Sequence, residues 1–193
     1  MQYMKAMTSG AADEARLVRR MRQGDEKAFS LLFAAHHAAI RRYALQMCGP
    51  AAADDVVQEV FLALLRQTDR YDPARGAVLT YLYGIARHHV LKRLPASAGE
   101  STLDEDDEVA AVPATALDDL SRAETIDQVR QAVQSLPPPY REVVVLCELH
   151  EMDYETAASI LECPIGTVRS RLHRARELLM TKLSARQRAL VQG

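Results

Sequence analysis

The sequence contains no tryptophan, only three phenylalanines and only three cysteines. Cys48, Cys147 and Cys163 are far apart and form no Cys-x-x-Cys pair, so neither a disulfide framework nor a zinc ribbon is indicated. We expect all three to be buried as small apolar residues. No run approaches the roughly 18 uncharged apolar residues that a membrane span needs, and the start of the chain carries charges instead of an apolar signal core. The sequence therefore predicts a cytoplasmic protein without membrane insertion.

Signatures of catalysis and of metal binding are also lacking. We find no glycine-rich phosphate loop, Ser-His-Asp arrangement or supported pair of carboxylates. The pairs His36-His37 and His88-His89 would point about a hundred degrees apart on a helix, and no Cys or carboxylate completes a spaced set of ligands. We therefore expect no metal, no cofactor and no enzymatic activity.

The net charge of −2 is small because opposite charges are separated along the chain. Residues 1–96 contain 14 basic and 9 acidic residues (+5), residues 97–128 contain 1 and 10 (−9), and residues 129–193 contain 9 and 7 (+2). From Pro164 to Leu190 there are seven basic residues and one acidic residue, Glu177. Two basic modules thus flank an acidic connector.

Apolar residues recur at helical spacing and no stretch alternates with period two, so an all-α fold with two small domains is predicted. The first unit, residues 13–95, should hold four helices. We place them at about residues 13–23, 25–48, 51–67 and 78–94, ended by Gly24, Gly49-Pro50 and Pro95. The expected core positions of the second and third helices are Phe29, Phe33, His36, Ile40, Tyr43, Met47, Val57, Val60, Phe61, Leu64 and Leu65.

Residues 96–121 are acidic and small and contain no aromatic residue, which is typical of a flexible linker. The second unit, residues 122–185, should hold four helices. Ser121 and Glu124 form a capping-box pattern before the first helix, and Pro137 to Pro139 separate it from the second. The inner face of the second helix would carry Tyr140, Val143, Val144 and Cys147. Asp153 would cap a short helix over residues 154–161, and Cys163-Pro164 would turn the chain into a last helix from Ile165 to about Leu183.

The last three elements, a short helix, a turn of three or four residues and a longer basic helix, follow the order of a helix-turn-helix. Val168, Leu172, Ala175 and Leu179 would form its apolar stripe. The first turns of a docked recognition helix meet base edges, where arginine can bind guanine with two hydrogen bonds and Thr or Ser can contact a base or a phosphate. The candidate DNA-binding side chains are Thr167, Arg169, Arg171, Arg174 and Arg176, and Arg176, like Lys182, suits phosphates.

Two other interpretations of this basic helix stay open. An arginine run is often only a solvated face, although such a face usually mixes both signs and here Glu177 alone interrupts the series. RNA binding is the other interpretation. A compact helix-turn-helix favours duplex DNA, because the deep, narrow major groove of RNA does not admit a helix in this way.

Particular segments resemble the extracytoplasmic-function (ECF) group of bacterial RNA polymerase sigma factors. They are Asp-Asp-Val-Val-Gln-Glu-Val-Phe at 54–61, Leu136-Pro137 with Tyr140-Arg141-Glu142, and Cys-Pro-Ile-Gly-Thr-Val-Arg-Ser-Arg-Leu-His-Arg-Ala-Arg at 163–176. The likeness spans both units in the family's order. It implies sigma domain 2 at 13–95, a linker at 96–121, and sigma domain 4 at 122–185. A stress-response regulator would fit this group.

The resemblance implies that the chain binds core RNA polymerase through the β′ clamp helices and the β flap, reads the −10 and −35 elements of promoter DNA, and is controlled by an anti-sigma factor. Its implied polymerase-binding residues are Asp54, Asp55, Gln58 and Glu59. Its implied −10 residues are Asp72, Arg75, Tyr81, Tyr83, Arg87, His88, Lys92 and Arg93. For the −35 element, the resemblance implies Pro164, Gly166 and Ser170 in addition to Thr167, Arg169, Arg171, Arg174 and Arg176.

At the −10 surface, we expect cationic side chains to bind the backbone of single-stranded DNA and aromatic side chains to stack on its bases. Tyr81 and Tyr83 are the available aromatics, and at i, i+2 on a helix they cannot face the same way, so we expect one of them to be core. The chain departs from the family's common pattern at Tyr81, Gly84, His88 and Lys92, so the resemblance does not give the base preference at −10.

Two other classes remain possible from the residues alone. A repressor or activator would bind a palindromic duplex through the second unit and use the first for sensing or dimerisation. An interaction-only protein that sequesters an inhibitor would tolerate loss of Arg169, Arg171 and Arg174, whereas a sigma factor would not.

Overall fold

The computed structural model of the chain describes residues 2–94 and 122–191, and these form two compact helical units. No strand occurs in either of the two described stretches. The predicted all-α, two-domain class is therefore confirmed. The predicted linker at 96–121 and the capping residue Ser121 lie outside the described residues.

The first unit contains four α-helices and one short 3-10 turn among its described residues. The helices are α1 (Gln2–Arg22), α2 (Glu26–Cys48), α3 (Pro50–Arg66) and α4 (Val78–Leu91), and the turn is Thr68–Arg70. Asp25 caps α2, because its side chain accepts the amide hydrogens of Lys27 and Ala28. Gly49 adopts φ +81° between α2 and α3, a conformation that glycine adopts without strain.

Two helix boundaries in the first unit differ from the prediction by three residues or more. Helix α1 begins at Gln2 and not near Asp13, since residues 2–12 include Gln, Met, Lys and Ala, which favour a helix even without an apolar stripe. Helix α4 ends at Leu91 and not at Leu94. The residue before a proline is biased away from helical dihedrals, so Leu94, which precedes Pro95, is unfavourable in the helix.

The core of the first unit is formed by residues that are almost completely buried: Val18, Leu32, Ile40, Tyr43, Met47, Val56, Val60, Leu64, Leu82, Tyr83 and Val90. Three predicted core positions are not fully buried, because Phe29 is half-buried, Phe33 is 39% exposed and Leu65 is 43% exposed. The buried face of α2 follows Leu32, His36 and Ile40, which places Phe33 at its edge. There its ring stacks on His37 and lies 4.7 Å from the ring of Phe61.

The second unit contains α5 (Arg122–Gln134), α6 (Pro138–Val144), α7 (Tyr154–Leu161) and α8 (Ile165–Val191). A π-helical turn, Val145–Leu149, continues α6. The four predicted helices are present among the described residues of this unit, but α8 runs past Leu183 to Val191. Residues 184–191 contain neither Gly nor Pro, so nothing in them ends the helix.

The second unit also has an apolar core, whereas the three cysteines of the chain are only half-buried. Leu136, Val143, Val144, Leu146, Val168, Leu172 and Ala175 are buried. Tyr140 is only half-buried, as are all three cysteines, which contradicts the expectation of buried thiols. The half-buried thiol of Cys48 has a hydrogen-bond partner, because it donates to the Ala44 carbonyl oxygen at 3.1 Å.

Candidate nucleic-acid and polymerase interfaces

The turn between α7 and α8 is fixed by local interactions. Asp153 caps α7, since its Oδ1 accepts the Thr156 amide hydrogen at 2.8 Å and its Oδ2 accepts the Thr156 hydroxyl hydrogen at 2.9 Å. These bonds lower the pKa of Asp153. Glu162 ends α7 in the left-handed conformation (φ +54°), and the Pro164 carbonyl oxygen accepts the Thr167 amide hydrogen at 2.9 Å as α8 begins. The result is a helix, a three-residue turn and a second helix, as predicted.

Helix α8 packs through three of the four residues of its predicted apolar stripe, and the fourth, Leu179, is half-buried. Val168, Leu172 and Ala175 are at most 2% exposed. Burial of three residues one turn apart fixes the rotation of the helix about its axis, because all three lie on one face. The opposite faces of α8 are therefore held toward the surface of the unit.

The predicted −35 residues lie on or beside this outer surface. Pro164, Gly166, Arg169 and Ser170 are exposed, and Thr167, Arg171 and Arg174 are half-buried. The guanidinium of Arg169 lies 5.9 Å from the centre of the Tyr154 ring, and the Ser170 hydroxyl donates to the Thr167 carbonyl oxygen at 3.2 Å.

Two of the arginines on α8 already hold carboxylate partners within the unit. Arg174 Nη1 donates to Glu177 at 3.0 Å, and Arg176 donates to Glu148 on the π-helical turn. The hydrogen bond with Glu148 raises the pKa of Arg176. A phosphate would compete with these carboxylates for the two guanidinium groups, although each guanidinium has further N–H donors.

The polar face of α3 carries the residues assigned to polymerase binding. Asp54, Asp55 and Gln58 are exposed, and Glu59 is half-buried. Arg41 Nε on α2 donates to Asp54 Oδ1 at 2.6 Å, with both side chains open to solvent. The face is thus acidic at its start, and the exposed apolar residues Leu62 and Leu65 continue it toward the end of the helix.

Glu59 joins the end of α4 to α3. Arg93 Nη1 donates to Glu59 Oε2 at 2.9 Å, and His89 Nδ1 lies 2.7 Å from the same oxygen. The bond from Arg93 lowers the pKa of Glu59, and burial lowers the pKa of His89. One carboxylate of the predicted polymerase face is therefore shared with Arg93, a predicted −10 cation.

The two tyrosines of α4 have different environments, as expected. Tyr83 is 1% exposed, its ring meets Tyr43 edge to face, and burial raises its pKa to about 12. A base could not stack on it without unpacking the core. Tyr81 is half-buried, lies 5.6 Å from the Tyr71 ring, and donates its hydroxyl hydrogen to the Gln67 carbonyl oxygen at 3.4 Å. Tyr81 is the aromatic that DNA could reach.

The remaining predicted −10 residues occupy two places. Asp72 and Arg75 are exposed in the loop before α4, where Asp72 Oδ1 accepts the Ala74 amide hydrogen at 2.9 Å. Exposed His88 and Lys92, with His89 and Glu59, line a cleft of about 330 Å³ whose other walls include Leu62 and Arg66. Arg87 is half-buried.

Two kinds of feature are absent from the described parts of the chain. No group of three His, Cys, Asp or Glu side chains there is placed to hold a metal ion. In the same stretches, no helix has both the length and the apolar character needed to cross a bilayer.

Family comparisons match each unit separately. The sigma-70 region 2 family matches residues 32–98, and the sigma-70, region 4 family matches residues 126–179. A region 2 domain followed by a helix-turn-helix region 4 defines a transcription initiation factor of the sigma-70 type.

Individual relatives narrow this class. The ECF RNA polymerase sigma-E factor of Escherichia coli (strain K12) is 34% identical over 179 residues, which cover 86% of this chain and 92% of the relative. CnrH, solved in complex with the cytosolic domain of CnrY, has a TM-score of 0.67 at 25% identity and covers 89% of this chain and 97% of its own. The sigma factor RpoE of Bartonella quintana, solved with the anti-sigma factor NepR, shares the fold (TM-score 0.61, 24% identity, 82% of this chain and 98% of its own). The chain belongs to the ECF group of RNA polymerase sigma factors.

Proposed function

We propose that this chain binds core RNA polymerase and directs it to a small set of promoters by recognising their −10 and −35 elements, without catalysis of its own. The observation that carries the proposal is the outer surface of α8. Its position is fixed by the buried stripe Val168, Leu172 and Ala175, and it presents Arg169 and Arg171 beside the exposed start of the helix. Membership of the ECF group supplies the role for this surface.

The two units are assigned separate tasks. Residues 13–95 would be sigma domain 2, which holds the β′ clamp helices through Asp54, Asp55, Gln58 and Glu59 and melts the −10 element. Residues 122–185 would be sigma domain 4, which reads the −35 element and contacts the β flap. The acidic segment 96–121 would be the linker between them, and the complex would act in the cytoplasm.

For promoter opening, the surface that includes Asp72, Arg75 and Tyr81 would capture the unpaired strand. Single-stranded DNA binding combines cations along the backbone with aromatic faces under the bases, and both are present here. Arg87, His88, Lys92 and Arg93 would add backbone contacts along α4. Tyr83 would act from the core by supporting this helix.

Regulation by an anti-sigma factor is proposed from the family. RpoE of Bartonella quintana was solved with such a partner, NepR. A genetic selection for inhibitors should return a protein that abolishes transcription when added in stoichiometric amount. A selection that returns no protein able to bind the chain would count against this regulation.

Transcription reconstituted from purified chain and core polymerase tests the function. We expect transcripts from a subset of genomic promoters, and we expect the triple substitution of Arg169, Arg171 and Arg174 by Gln to abolish promoter use while core binding is retained. Tight binding of the chain alone to a palindromic duplex, with no transcription, would indicate a repressor or activator instead.

A further inference from the structure

Arg22, the last residue of α1, contacts a loop that lies about fifty residues later in the sequence. Its Nε donates to the Thr68 carbonyl oxygen at 3.0 Å, and its Nη2 donates both to the same oxygen and to the Tyr71 carbonyl oxygen at 3.0 Å. Nε also lies 3.5 Å from Asp69 Oδ1. A single guanidinium therefore bridges two backbone carbonyls on either side of a tight turn.

The loop, residues 67–77, is held at two further points. The Tyr81 hydroxyl donates to the Gln67 carbonyl oxygen at 3.4 Å, and the Tyr71 hydroxyl donates to the Gly76 carbonyl oxygen at 3.2 Å. Tyr71 is itself 5% exposed. These bonds anchor both ends of the loop and leave the turn between Asp72 and Arg75 exposed.

Arginine is well suited to this place. Its planar fork can meet two acceptors at once, and hydrogen bonds from a charged donor are stronger than those between neutral groups. A lysine could offer only a point charge and would hold one carbonyl well at a time. About 33% of the Arg22 side-chain surface is exposed, and its hydrogen bond to the Tyr71 carbonyl is partly buried.

Arg20 provides a natural comparison on the same helix. Its Nε donates to Asp25 Oδ2 at 2.8 Å, and the cap of α2 lies at that carboxylate. Both arginines are thus engaged near the end of α1, but Arg20 is bound to the next helix cap and Arg22 to the loop.

We propose that Arg22 is a positioning residue for promoter opening: it fixes loop 67–77 so that the Asp72–Arg75 turn and Tyr81 form one preformed surface for an unpaired base of the −10 element. The inference rests on the proposed function of this surface. Arg22 acts through the loop and does not itself touch the DNA. Preorganisation of this kind matters because an unfixed loop must be ordered at the moment of capture, at a cost in free energy.

The first test concerns the free protein and needs no polymerase. Hydrogen exchange of the backbone amides of residues 70–72, 74 and 75 should be faster in Arg22→Gln than in the wild type, intermediate in Arg22→Lys, and unchanged in Arg20→Gln; residue 73 is proline and has no amide hydrogen. Unchanged exchange in Arg22→Gln would show that Arg22 does not hold the loop and would overturn the inference.

The second test uses the complete complex on a promoter that the wild-type chain opens. Arg22→Gln should reduce by roughly tenfold both the formation of open complexes and the discrimination between bases at the captured position of a pre-opened template, as expected for loss of charged hydrogen bonds. Core-polymerase affinity and binding to −35 duplex should be unchanged. Arg22→Lys should recover part of the discrimination.

Each alternative outcome is distinguishable. If Arg22→Gln lowers core affinity by the same factor as opening, or if Arg20→Gln has the same effect, Arg22 stabilises the fold and does not position the loop. If the wild-type chain opens no promoter, the proposed function fails and the positioning role fails with it, whereas the exchange comparison still reports whether Arg22 holds the loop.

Discussion

Neutralising Glu59 separates two roles that this residue could have. Its carboxylate accepts a hydrogen bond from Arg93 at 2.9 Å and lies 2.7 Å from His89 Nδ1, so it could simply join α3 to α4. It also lies on the face assigned to the polymerase clamp. Glu59→Gln keeps the shape of the side chain and removes its charge.

The expected magnitudes of the two roles differ. The side chain of Glu59 is 42% exposed, and ion pairs at such sites contribute about 0–1 kcal/mol to folding. The free energy of unfolding should therefore fall by less than about 1 kcal/mol. Removing one partner of a charged pair buried in a protein interface costs about 2–5 kcal/mol, which is a loss of affinity of at least about thirtyfold.

Urea denaturation of the free chain and competition binding to core polymerase measure the two quantities. We expect Glu59→Gln to lose little stability and much core affinity. Arg93→Gln breaks the same pair from the other side, so it should retain core affinity and weaken DNA capture. Unchanged core affinity in Glu59→Gln, or an equal loss in Arg93→Gln, would refute the assignment of Glu59 to the clamp.

Three further expectations follow from the geometry. Leu172→Ala, at a position 2% exposed, should cost about 2–5 kcal/mol in the unfolding of the second unit and abolish −35 binding, with Leu172→Met as a control that changes little. Asp153→Ala should cost about 1 kcal/mol by urea denaturation, whereas Asp153→Asn should keep most of the cap. Because the cap lowers the pKa of Asp153, its contribution is present above the unfolded pKa and is lost as pH falls through the lower folded value, so the alanine variant should show a flatter acid limb. Because burial lowers the pKa of His89, the wild type should lose stability as pH falls below the unfolded value of about 6.5, and His89→Gln should remove that loss in denaturation curves.

Local signals explain why the helix-turn-helix could be predicted from the sequence. The cap Asp153, the turn at Pro164 and the stripe Val168, Leu172 and Ala175 all act within a few residues of one another. Each of these signals specifies the same structure, so the bounds of α7 and the start and rotation of α8 agree with the prediction. The far end of α8 was underestimated because no cap or breaker marks it.

Interactions between distant segments explain what the sequence did not reveal. Nothing near Arg22 indicates that its partners are the carbonyls of Thr68 and Tyr71, because backbone acceptors have no sequence signature. The pairing of Glu59 with Arg93 likewise depends on how α3 crosses α4. Phe33 was placed in the core because it fits the helical spacing of Phe29 and His36, but the rotation of α2 puts it at the edge.

Among the candidate site residues, too, the sequence predicted the residue types, whereas contacts between distant segments decided their environments. Tyr81 and Tyr83 could be separated in principle by their spacing, but only packing decided that Tyr83 is the core residue. The positive charge of Arg176 suits a phosphate contact. Its hydrogen bond to Glu148 depends on how α8 packs against the π-helical turn, and the sequence carries no signal for that packing. Sequence composition therefore identified the charged groups, and the fold determined which of them are already occupied.

Run-off transcription from genomic promoter fragments, with purified core polymerase and this chain, tests the central claim most directly. We predict specific transcripts that require the chain, disappear when Arg169, Arg171 and Arg174 are replaced by Gln, and share −10 and −35 elements upstream of their starts. Core polymerase that binds the chain yet initiates at no promoter, or transcripts that are unaffected by the triple substitution, would contradict it.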